Sequence, residues 1–113
     1  MKPLNYNMFL QFIQELKPLS KFTPIETQLQ FQILYGISFD MNYKNRVETE
    51  FIKWLEENKK FIVEKNIKVF EMNVNSENLI INNFLNNLKV IFQIIGEANQ
   101  EIVWKYLQYF LSN

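Results

Sequence analysis

The sequence predicts an all-α fold, a single small domain of four to five helices over residues 1–113, and three observations carry that expectation. Apolar residues recur at three- and four-residue spacing through most of the chain. The two glycines and three prolines fall between these periodic stretches or near their ends, where they punctuate helices. Hydrophobic residues make up 48% of the chain and aromatics 16%, too many for a disordered segment and enough to fill one ring-rich core.

Taken in order, Asn5 to Leu16 reads as a first helix with Phe9, Phe12, Ile13 and Leu16 on its inner face. Asn5 or Asn7 is placed to cap it, and Pro18 to stop it. The run Thr23-Pro24-Ile25-Glu26 has the form of a capping box, with a hydroxyl at the N-cap, proline at the first helical position and a carboxylate at the third. A helix from Pro24 to Tyr35 follows, closed by Gly36 in a left-handed cap. The same region carries a second pattern. Leu29, Phe31 and Ile33 alternate with Gln28, Gln30 and Gln32, and the alternation resumes through Ile37, Phe39, Met41 and Tyr43, so an α+β fold with a short hairpin around 28–43 is the alternative.

Asn42 or Asn45 opens a third helix that extends to about Glu64, with Val47, Phe51, Trp54, Leu55, Phe61 and Ile62 inside. Residues 66–75 read as an extended or irregular crossing that tucks Ile67, Val69 or Phe70, Met72 and Val74 inward, with Asn73-Val74-Asn75-Ser76 as a turn. The stretch Leu79 to Ile95 gathers Ile81, Phe84, Leu85, Leu88, Ile91, Phe92 and Ile95 on one face. A stripe that wide has to lie against several helices, which makes this the expected central wall. Gly96 ends it, and a last helix over 98–111, with Val103, Tyr106, Leu107 and Phe110 inside, folds back on it as an antiparallel pair.

Composition excludes more chemistry than it suggests. The chain has no Cys and no His, so thiolate nucleophiles, imidazole bases, disulfides and the two commonest zinc ligands are absent together. The single Asp, Asp40, reads as a turn or cap residue, and the glutamates sit among lysines as a solvated face. Two glycines cannot build a phosphate-binding loop. The expectation is a protein that is not an enzyme and holds no cofactor or metal. Twelve basic residues balance twelve acidic ones, which disfavours nucleic acid as a partner. The alternative is a local patch of Lys59, Lys60, Lys65 and Lys68 serving a nucleic-acid-associated accessory protein. No segment approaches the roughly eighteen uncharged apolar residues of a membrane span, and no signal-peptide run opens the chain, so cytoplasmic residence is expected.

What remains is contact. Trp104, Tyr109 and Phe22 fit the inner stripes poorly and are candidate anchors for a protein partner or for self-association. Asn82, Asn83, Asn86 and Asn87 cost an exposed helix roughly 1 to 2 kcal/mol against Ala, so either they drift on a solvent face or Asn83 and Asn87 meet a partner. The expected function is a non-enzymatic interaction or structural module that presents a helical surface.

The segment Glu97-Ala98-Asn99-Gln100-Glu101-Ile102-Val103-Trp104-Lys105-Tyr106-Leu107-Gln108 resembles the closing helix of small uncharacterised helical proteins of large eukaryotic DNA viruses. The resemblance implies a viral protein of the host cytoplasm or the virion, and brings no catalytic residues.

Overall fold

The computed structural model describes residues 3–71 and 79–112. Among them the chain is all-α: α1 (Tyr6–Leu19), a 3-10 turn (Ser20–Phe22), α2 (Ile25–Ile37), α3 (Met41–Glu57), α4 (Lys59–Val63), α5 (Lys68–Glu71), α6 (Leu79–Ile94) and α7 (Glu97–Ser112). The hairpin around 28–43 does not form. Glutamine favours helix more than strand, and the helical spacing of Phe31 and Leu34 buries both residues, which the alternating pattern would not select together.

Helix α1 starts as expected. Asn5 caps it by accepting from the Met8 amide at 3.2 Å, while its Nδ2 donates to the Tyr109 hydroxyl at 3.0 Å and ties the cap to α7. The helix runs past Leu16 to Leu19 with Pro18 inside its last turn. Ser20 terminates it there, its hydroxyl donating to the Lys17 carbonyl at 2.6 Å.

The capping box at Thr23 is not made. Thr23 is buried and its hydroxyl donates to the Ser20 carbonyl, closing the 3-10 turn, so Pro24 becomes the N-cap. Gln28 Nε2 takes over the tie, donating to the Thr23 carbonyl at 2.7 Å. Gly36 does not end α2 either, since the helix passes through it to Ile37 and the Ser38 amide bonds back to Leu34. Ser38 is fully buried, and its carbonyl accepts from the Tyr6 hydroxyl at 2.7 Å, which pins this end of α2 to α1.

Asp40 caps α3, its side chain accepting from the Asn42 amide at 2.7 Å. The long third helix breaks at Asn58, where the side-chain amide donates to the Trp54 carbonyl at 2.9 Å and competes with the helical ladder. The break begins α4, which ends in a left-handed cap at Lys65 (φ 53°), with Asn66 N bonded to Phe61 O and Lys65 N to Ile62 O. Residues 68–71 form one helical turn in place of an extended crossing, burying Val69 and Phe70. Met72, Val74 and the turn proposed at 73–76 lie outside the described residues.

Helix α6 is the central wall, packed on α2, α3, α5 and the 3-10 turn, with all seven residues of its expected stripe buried. Gly96 follows it with φ +81°, a conformation that a side chain would strain. Helix α7 touches α6 near this bend, where Gln100 Nε2 donates to the Phe92 carbonyl at 2.8 Å, but packs chiefly on α3 and α4 and not along α6. Gln108 Nε2 donates to the Ile62 carbonyl at 3.1 Å and joins α7 to α4.

Two aromatic clusters hold the body together. Phe9 and Phe12 of α1, Phe51 of α3, Phe84 of α6 and Tyr106 and Phe110 of α7 meet at centroid distances of 4.8 to 6.4 Å. Phe70 stacks on Phe92 at 4.1 Å, and Trp104 stands against both at 5.3 and 5.2 Å, joining α5, α6 and α7. Such pairs add about 0.5 to 1.5 kcal/mol each beyond the apolar area they bury.

Candidate interaction surface

Helix α2 differs from the others in how little of its apolar surface it hides. Phe31 and Leu34 alone are buried. Ile25, Leu29, Ile33 and Ile37 recur every four residues, so they form one continuous ridge along the helix. Each of the four is exposed, Ile25 by 66% and Ile33 by 65%. Exposed Phe22 precedes the ridge, and exposed Phe39 and Met41 follow it. The polar residues alongside are uncharged Thr27, Gln28, Gln30 and Gln32, and Glu26 is the only charged residue in α2.

Where the far end of the ridge meets α6, the surface sinks into a cavity of about 210 Å³. Ile33, Leu34, Ile37 and Ile80 give it aliphatic walls, and Gln30, Tyr43, Asn83 and Asn87 bring polar groups to it. Asn87 Nδ2 donates to the Asn83 carbonyl at 2.7 Å. Tyr43 is 4% exposed, and its hydroxyl has no hydrogen-bond partner among the described residues. Burial, reinforced by the neighbouring Tyr6, raises the pKa of that phenol well above its ordinary value, so it stays protonated.

The residues expected at a partner surface are dispersed by the fold. Trp104 is corrected most clearly: it is buried, because Phe70 on α5 and Phe92 on α6 close over its ring. Asn87 is also buried, three residues from Phe84 and four from Ile91, and its amide is satisfied by its own helix. Tyr109 is half-buried, with its ring edge-on to Phe110 at 5.8 Å and its hydroxyl bonded to Asn5. Phe22 is exposed, with Lys21 Nζ 5.5 Å from its ring centre. Asn83 is exposed at the rim of the cavity, so of the five residues only Asn83 and Asn87 come together. The ridge itself was legible as four aliphatic residues at i, i+4, i+8 and i+12, yet the buried pair Phe31 and Leu34 competes for the inner face, and spacing alone does not say which side turns outward.

The lysines of the nucleic-acid alternative are exposed on α4, α5 and the turn between them, and Lys65 is paired with Glu101 at 2.7 Å. Asp40 is occupied as a cap, and among the described residues no three acidic side chains gather where a metal ion could be held. No described helix is long and apolar enough to cross a membrane. Compared with protein-family profiles, with curated proteins and with solved structures, the chain finds no match in any of the three.

Proposed function

We propose that the chain is a non-enzymatic interaction module that pairs with a second copy of itself through α2. The observation that carries this reading is the exposed ridge of Ile25, Leu29, Ile33 and Ile37. Together with Phe22, Phe39 and Met41 it leaves on the order of 500 Å² of apolar side-chain surface in water, at the upper end of what a monomer normally exposes. Burying two such faces removes on the order of 1,000 Å² of apolar surface from water, about the least that a specific interface needs.

The choice of a second copy follows from charge. A two-fold contact sets each patch against itself, so a charged face would repel its twin. Glu26 is the sole charge on α2, and glutamine amides, which donate and accept alike, make up the rim. An i±4n ridge is also the element that interdigitates when like helices cross. The likeness of residues 97–108 to helices of viral proteins fits a small assembly component of the cytoplasm or virion.

Size-exclusion chromatography with light scattering tests this directly. The 13.7 kDa chain should elute at twice its mass at tens of micromolar, and the double substitution Ile25→Glu and Leu29→Glu should return it to a monomer with unchanged helicity. A native chain that stays monomeric at several hundred micromolar overturns the reading.

A further inference from the structure

We infer that the cavity between α2, α3 and α6 binds a small uncharged molecule that has an apolar body and a carbonyl or amide group. Its aliphatic walls come from Ile33, Leu34, Ile37 and Ile80, while Gln30, Tyr43, Asn83 and Asn87 bring polar groups from three helices to one place. That combination, apolar walls with a few convergent hydrogen-bonding groups, is what small-molecule sites use for affinity and orientation. At about 210 Å³ the space suffices, since an apolar cavity of about 150 Å³ already admits benzene.

The lining selects the ligand's chemistry. None of the eight lining residues is charged, so an ionic ligand would lose its hydration with no counter-charge to replace it. The side-chain amides of Gln30 and Asn83, both at exposed positions of the lining, donate and accept alike and suit a ligand carbonyl or amide.

The cavity shares Ile33 and Ile37 with the proposed α2 contact, so pairing and ligand binding would compete for them in the native chain. The test is therefore run on the Ile25→Glu, Leu29→Glu chain, so that failure of pairing and failure of ligand binding are read separately. Benzamide, toluene and benzoate are titrated with amide chemical shifts as the readout. Benzamide should saturate and move the signals of Gln30, Ile33, Asn83 and Asn87, and benzoate should not bind. Toluene, which keeps the ring but lacks the amide, should bind more weakly than benzamide. Ile33→Trp, at an exposed position on the rim, should fill the space and abolish both. A cavity that takes only water gives no saturation, and that result overturns the inference. It is equally overturned if binding survives Ile33→Trp.

Discussion

Substituting Trp104 by Ala separates the two roles that a large ring near the end of a chain can play. The side chain is 4% exposed and packs against both Phe70 and Phe92, whose own rings stack at 4.1 Å. Truncation removes two ring contacts and opens a cavity at the junction of α5, α6 and α7. Losses of this kind cost about 3 to 5 kcal/mol, and two aromatic pairs bring the expectation to the middle of that range or above. A domain of this length has a total stability of roughly 6 to 17 kcal/mol, so about a third of it would go. With an unfolding entropy of about 2.1 cal/mol/K per residue, the melting temperature should fall by roughly 17 to 21 °C. Thermal and urea melts followed by circular dichroism measure it, and Trp104→Phe, which keeps a ring in place, should lose less than half as much. At temperatures where the Ala variant is still folded, its oligomeric state should match the native chain. A shift under about 3 °C combined with loss of self-association would refute the burial argument and restore Trp104 as a surface anchor.

The two glycines should respond in opposite directions. Gly36 sits inside α2 with nothing within 4 Å of an added Cβ, so Gly36→Ala should stabilise by about 0.5 to 1 kcal/mol in urea melts. Gly96 has equal room but φ +81°, so Gly96→Ala should destabilise by about 1 to 2 kcal/mol in the same measurement. Alkaline pH should unfold the chain through its buried phenols. Burial raises the pKa of Tyr6, helped by Glu48, and of Tyr43, helped by Tyr6; burial and a hydrogen bond to Glu15 push Tyr106 up to about 12. Below pH 10 both folded and unfolded states keep these protons and the contribution is complete. Between pH 10 and 12 only the unfolded chain releases them, so stability should fall by roughly 1.4 kcal/mol per pH unit for each tyrosine that remains protonated. Phenolate absorbance should therefore rise together with loss of helicity, and titration of every tyrosine near pH 10 in a folded chain would contradict this.

How much could be read in advance depended on the range of the interactions involved. The inner faces of α1, α6 and α7 were legible because a single wide stripe leaves no choice of side: Phe9, Phe12, Ile13 and Leu16 are all buried, as are Val103, Tyr106, Leu107 and Phe110. Helix α2 was ambiguous because it carries two apolar faces, one narrow and buried and one broad and exposed, and only tertiary packing decides between them. Trp104 was misplaced for a similar reason: the residue that covers it, Phe70, is 34 positions away on a single helical turn with too few residues to show periodicity. The break at Asn58 and the left-handed cap at Lys65 depend on side-chain and backbone bonds that asparagine and lysine make without the usual glycine signal. The Asn rows were half legible. Position 83 faces outward, but position 87 turns under α2, where its amide is fed by its own helix.

Rings from α1, α3, α6 and α7 are locked into one another, so none of those four can lift away without dragging the rest. Helix α2 contributes no ring to that knot and inserts only Phe31 and Leu34 into the interior. Its amides should be the first to exchange with deuterium among the long helices, ahead of global opening. The element offering the greasy ridge is thus the long helix with the fewest buried side chains, and a second chain docking there would slow its exchange while leaving the rest of the body as it was.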